Sequence, residues 1–157
     1  MKPKYFILDV DGVMTTGQFM YSKNGKIFKV FGPHDSDGLK LIRNKIDISF
    51  ISADKRGFSI SKKRIVEDMG YKLKLVSEEN RFNYIKNNFG FDKVIYMGDG
   101  IFDAPLIKKA KYGISPKNAR IEARKVSNYI TPSKAAEGAV LDACLKINKV
   151  FFNKKIK

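Results

Sequence analysis

The chain has a single cysteine, Cys144, so no internal disulfide can staple it. That thiol sits in the apolar periodic run "AVLDACLKI", the setting of a buried structural cysteine. No apolar run approaches the ~18 residues that cross a bilayer, and Asp9 and Asp11 interrupt the only early one, so neither a membrane partner nor an export leader is expected. The expected location is cytoplasmic. Acid is scarce as well: 16 Asp and Glu stand against 31 Lys and Arg, a formal charge of +15. Such a balance can attract nucleic acid or small anions. The lysines are nevertheless scattered, and no aromatic-interleaved basic motif of a nucleic-acid module is present, so a nucleic-acid partner is not expected. Internal repeats, low-complexity tracts and linkers are missing too.

What remains, at 157 residues and 43% hydrophobic composition, is enough for one core and one domain. Apolar runs bounded by turn residues predict strands at "KYFILDV", "DISFISA", "KLKLV", "KVIYMG", "KYGISP" and "SNYITP". Helical spacing lies between them in "DSDGLKLIRNK", "SISKKRIVEDMG", "EENRFNYIKNNFG", "DAPLIKKAK" and "NARIEARKV". The alternation predicts an α/β fold, a Rossmann-like parallel sheet with helices on both faces. The exception is "GQFMYSKNGKIFKVFG", two alternating runs around Asn24-Gly25, which predicts a β-hairpin over about residues 17–31 projecting from the sheet. A single domain is expected over residues 1–147, followed by a basic C-terminal tail at 148–157. Asp35 and Asp37 are expected to cap the helix they open, a substrate role beside the site being the alternative.

In an open parallel sheet, ligands bind beyond the carboxyl ends of the strands. Asp9 and Asp11 stand there on the first strand, Ser52 on the second and Asp99 on the fourth, in "YMGDGIFDAP". Close carboxylates repel unless a cation sits among them, and oxygen-only ligands suit Mg²⁺, with a substrate phosphate completing its shell. One carboxylate can then serve as nucleophile while its neighbour carries a proton. Each motif alone has an ordinary structural explanation: Asp11-Gly12 as turn chemistry, Asp103 as a helix cap. Together, in order and at three strand ends, they point to phosphoryl transfer.

On "DVDG", Ser52 and "GDGIFD", the chain resembles the haloacid dehalogenase (HAD) superfamily of phosphotransferases. More narrowly, "LDVDGVMTTGQFMYSKNGKIFKVF", "DSDGLKLI", "VIYMGDGIFDAPLIKKA" and "ITPSKAAEGAV" resemble the capless phosphatases of 3-deoxy-manno-octulosonate 8-phosphate and nonulosonate 9-phosphates. With 40 residues between Asp11 and Ser52 there is no space for a cap domain. The resemblance implies a Mg²⁺-dependent phosphatase acting on a phosphorylated sugar acid through an aspartyl-phosphate. It also implies a homotetramer in which hairpins associate and a neighbour helps to cover each site. Asp9 would be the nucleophile and a metal ligand, Asp11 the acid and base that also offers its carbonyl to the metal, Asp99 the remaining ligand and Asp103 a support behind it. Ser52 would hold phosphoryl oxygens. The family's third-motif lysine has no counterpart in the first turn of its helix, where Arg81 is the nearest basic residue, a solvated surface position being the alternative. The family's "TGR" is replaced by "SADKR". Candidate substrate contacts are Thr15, Thr16, His34, Lys55, Arg56 and Arg64, with plain surface exposure the competing reading for the charged ones. The missing lysine leaves open a second function, a weakly active or non-catalytic oligomeric partner of a sugar-activating enzyme.

Overall fold

β1 (Tyr5–Asp9) forms the middle of a six-stranded sheet because its apolar run can bury both of its faces. The computed structural model describes residues 1–152. β4 (Asp47–Ser52), β5 (Lys72–Leu75), β6 (Val94–Met97), β7 (Tyr112–Ser115) and β8 (Tyr129–Ile130) join it in the order β5-β4-β1-β6-β7-β8, every pair parallel. Phe6 and Leu8 enter one core and Ile7 the opposite one, as the two-residue period of a strand requires. The expected Rossmann-like α/β fold is present. No helix among the described residues is long and apolar enough to cross a membrane.

The first core is closed by α1 (His34–Ile42) and α6 (Ala139–Ile147), through Leu39, Ile42, Val140, Ala143, Cys144 and Ile147. Their close packing depends on Gly38: a Cβ there would lie 2.6 Å from the Leu141 Cα. Asp35, expected to cap its own helix, instead crosses to α6, where its Oδ1 accepts hydrogen bonds from the Val140 and Leu141 N–H groups at 2.9 and 3.4 Å. Those donors are among the orphans at a helix start, and no side chain local to α6 reaches them. The second core lies under α3 (Glu78–Asn88), α4 (Ala104–Lys109) and α5 (Ile121–Val126), which contribute Ile85, Leu106, Ile107 and Ala123.

The expected helix over 59–70 is a short α2 (Phe58–Lys62) continued by a π-helical turn, Lys63–Asp68. The boundary expected at residue 147 falls inside a continuing helical stretch. Asn148–Phe152 form another π-helical turn, because Phe151 and Phe152 pack on the first core and Phe151 meets Tyr112 edge-on at 5.4 Å. The remainder of the expected tail, 153–157, lies outside the described residues.

β2 (Thr15–Ser22) and β3 (Gly25–Phe31) form the hairpin as a separate antiparallel sheet. It begins two residues earlier than expected because Thr15 already pairs with Phe31. No cap domain intervenes between it and α1. Its Phe19, Met20, Tyr21, Ile27, Phe28 and Val30 are exposed.

Candidate active site

β1 is where sheet building reverses: β4 and β5 lie to one side and β6 to β8 to the other. A crevice opens at such a point beyond the strand ends. Asp9 ends β1, and Asp99 lies just past Met97 at the end of neighbouring β6. The turn after Asp9 brings Asp99 close through Gly12, whose φ of +81° is poorly tolerated by L side chains and whose missing Cβ would collide with the Asp99 carboxylate. Thr15 fixes this turn, its Oγ1 accepting from the Gly12 and Gly17 N–H groups at 3.3 and 3.2 Å.

Carboxylate oxygens of Asp9, Asp99 and Asp103 come within 4.8 Å of one another. Arg81 reaches in from α3 with both terminal nitrogens, one 2.8 Å from Asp9 Oδ1 and the other 2.9 Å from Asp103 Oδ1. Sequence alone left Arg81 between a site residue and a solvated one; the structure buries it at 5% exposure. Asp103 is saturated: Oδ1 also accepts from the Tyr96 hydroxyl at 2.6 Å, and Oδ2 accepts from the Asp99 and Gly100 N–H groups at 3.1 and 2.9 Å. A carboxylate has roughly four lone-pair sites, so Asp103 has none left for a metal and acts by holding Arg81 and the Asp99 backbone. Burial, then Asp103, push the Asp9 carboxyl well above its usual range, with Arg81 opposing. Burial and Asp103 likewise push Asp99 up to about 7. Three crowded carboxylates with one guanidinium leave an excess of negative charge, and the free oxygen donors of Asp9 and Asp99 suit a hard divalent cation that keeps several waters.

The Asp11 carboxylate is outside this cluster. It turns to the hairpin, where Lys29 Nζ lies 2.9 Å from its Oδ1. Ser52 is buried at the end of β4, and its Oγ accepts from the Asp54 N–H at 3.1 Å. The opening is a cavity of about 500 Å³ lined by Asp9, Asp11, Lys26, Asp54, Arg81 and Asp99 among others. Ser52 is not on its wall; Ala53 and Asp54 are. Thr15 is buried in the turn, Thr16 accepts from the Gln18 N–H at 3.3 Å, and His34 is exposed at the start of α1. Lys55 and Arg56 are exposed and Arg64 half-buried. None of these six candidate contacts lines the cavity of the single chain, among the described residues.

Residues not singled out from sequence also converge here. Lys26 Nζ lies 2.6 Å from Asp54 Oδ2 and 3.9 Å from the centre of the Phe19 ring, while Lys29 bridges Asp54 to Asp11. Burial pushes Asp54 upward, but hydrogen bonds from Lys26 and Lys29 outweigh it and bring the carboxyl down to about 2. The signal available was modest: two lysines in an alternating apolar hairpin beside a charged loop. Tyr96 reads as an ordinary core residue of β6 and gives no such signal.

The chain matches the family described as haloacid dehalogenase-like hydrolase over residues 15–143. It is 30% identical over 141 residues to the 3-deoxy-D-manno-octulosonate 8-phosphate phosphatase of Haemophilus influenzae, which covers 87% of this chain and 77% of that one. The crystal structure of the Moraxella catarrhalis phosphatase of that name, in complex with a magnesium ion, a phosphate ion and a KDO molecule, superposes with a TM-score of 0.82 at 27% identity, over 96% of this chain and 88% of that one. A cobalt-bound Haemophilus influenzae phosphatase superposes with a TM-score of 0.80 over 94% and 88% of the two chains; at 24% identity it speaks for the fold alone.

Proposed function

The chain belongs to the haloacid dehalogenase-like hydrolases, and from that premise we propose that it removes phosphate from a sugar acid phosphorylated at its terminal carbon, 3-deoxy-octulosonate 8-phosphate or a nonulosonate 9-phosphate. As a phosphoric monoester hydrolase of sugar phosphates it keeps company with the relatives above. The observation that carries the reading is the meeting of Asp9, Asp99 and Arg81 at one strand edge, although they lie far apart in sequence.

Asp9, Asp99 and the Asp11 backbone carbonyl would hold Mg²⁺. When bound, the ion supplies charge neutralisation for the carboxylates and the phosphoryl oxygens. An Asp9 carboxylate oxygen attacks phosphorus, the bond from phosphorus to the sugar oxygen breaks, and the Asp11 carboxyl gives its proton to that oxygen. Water then attacks the aspartyl-phosphate, loses a proton to Asp11, and releases inorganic phosphate and the Asp9 carboxylate. Arg81 orients Asp9 and would offer a cation to the phosphoryl group in the role of the third-motif lysine. Ser52 would hold a phosphoryl oxygen once the loop at Ala53 and Asp54 adjusts.

The bare apolar hairpin supports a homotetramer in which neighbouring hairpins cover one another. A neighbour's residues would then complete the sugar-binding side of the cavity. The buried unpaired Cys144 accords with a reducing, cytoplasmic location. The test is phosphate release from a panel of sugar phosphates. Mg²⁺ should support turnover, EDTA should abolish it, and Asp9→Asn should abolish it with the fold intact; turnover that survives Asp9→Asn removes the mechanism.

A further inference from the structure

Lys29 is an unusual hairpin residue: its neighbours Phe28 and Val30 face solvent, yet its own side chain is fully buried at 0% exposure. Its ammonium has three N–H donors, and three groups from three separate segments meet it. Asp11 Oδ1 after β1 lies at 2.9 Å, Asp54 Oδ2 after β4 at 2.8 Å, and Ser61 Oγ in α2 at 2.8 Å. Gly57 makes room for the arrangement, since a Cβ there would lie 2.7 Å from both the Lys29 Cε and the Lys26 Cδ. With every donor engaged, this lysine has no N–H to offer a substrate.

We propose that Lys29 is a positioning residue for proton transfer: it holds the Asp11 carboxyl turned toward the hairpin, away from the cluster of Asp9, Asp99 and Asp103, at the place from which it serves the leaving oxygen. The inference rests on the phosphatase reading above, in which Asp11 donates the proton while Asp9 forms the bond to phosphorus. It adds a function for the hairpin, which through Lys29 becomes part of the catalytic frame. Asp11 has few other restraints, the nearest being the Thr15 hydroxyl at 3.5 Å. Lys26 secures the opposite side of the linkage by its own bond to Asp54. A side chain free to rotate would place its proton productively in only a fraction of encounters.

The experiment compares two substrates with wild type, Lys29→Met and Ser61→Ala, all saturated with Mg²⁺. A sugar phosphate leaves as an alkoxide and needs the proton; p-nitrophenyl phosphate leaves as a stabilised phenolate and does not. In a single turnover, Lys29→Met should slow release of the sugar by about 100-fold, at the lower end of general-acid contributions, while release of p-nitrophenolate stays within about threefold; hydrolysis of the shared aspartyl-phosphate, which also uses Asp11, slows alike for both. Ser61→Ala, which removes one of three partners, should show the same selectivity on a smaller scale. Thermal melts accompany each variant, and if Lys29→Met does not fold, Ser61→Ala carries the comparison. Equal losses in the single-turnover release of both leaving groups, or no loss on either, overturn the positioning role while leaving the phosphatase reading intact. A wild type inactive on both substrates overturns the phosphatase reading and this inference with it.

Discussion

Replacing Arg81 by Met keeps most of the side chain's apolar length and removes its charge. Asp9 and Asp103 would then face each other and Asp99 from positions 6% and 2% exposed, with no cation between them. Breaking a buried ion pair from one side costs about 3–5 kcal/mol, because the orphaned charge stays desolvated. Three carboxylates share this guanidinium's field, so the upper part of that range is expected in the metal-free protein. For a domain of this length each kcal/mol shifts the melting temperature by about 2–4 °C, so about 4–5 kcal/mol gives a fall of roughly 8–20 °C. Calorimetry at pH 7 in EDTA measures it. Added Mg²⁺ should recover part of the loss, since a divalent ion at Asp9 and Asp99 also neutralises the cluster. Arg81→Lys tests the geometry: one ammonium reaches Asp9 or Asp103 but cannot copy the two-pronged bridge, so an intermediate melting temperature is expected. A loss under about 1 kcal/mol for Arg81→Met in EDTA would refute the reasoning, because that is the scale of a solvated surface pair.

Gly38→Ala should destabilise by about 1–3 kcal/mol in urea titration, since its methyl would press on the Leu141 backbone and push α1 from α6. Asp54 gives a pH signature. Its carboxyl is lowered to about 2 in the folded chain, so its contribution is complete above the unfolded value near 4 and is lost as pH falls through about 2; the stability gap between wild type and Asp54→Asn should close over that window. Cys144 is fully buried and its thiol is pushed up by burial and by Asp35. A thiol reagent should therefore leave it unmodified in the native protein and titrate it fully in denaturant.

The architecture was legible because β1, β4 and β6 carry apolar runs bounded by turn residues, and because Asn24-Gly25 marks a hairpin whatever surrounds it. Asp9, Asp11 and Asp99 could be placed near one another by the rule for strand ends alone. What could not be read were bonds whose partners are remote. Nothing near Asp35 announces that its carboxylate belongs to a helix 105 residues away, and Lys29 looks like one more lysine in a basic chain until three segments fold around it. Arg81 is intermediate: the spacing supplied a candidate, while its burial depends on Asp103 and Asp9 both being there to receive it. Lys55 and Arg56 are exposed in the loop that follows β4, next to Ala53 and Asp54 on the cavity wall.

The grip of Asp35 on the start of α6 has a consequence for biosynthesis. As the nascent chain leaves the ribosome, α1 emerges with Leu39 and Ile42 ready for burial, yet the helix that covers them is translated only after β8, the last strand to join the sheet. Until then that apolar stripe and its carboxylate stay open to water and to chaperones. Emergence of α6, rather than completion of the sheet, is therefore the event that closes this side of the molecule.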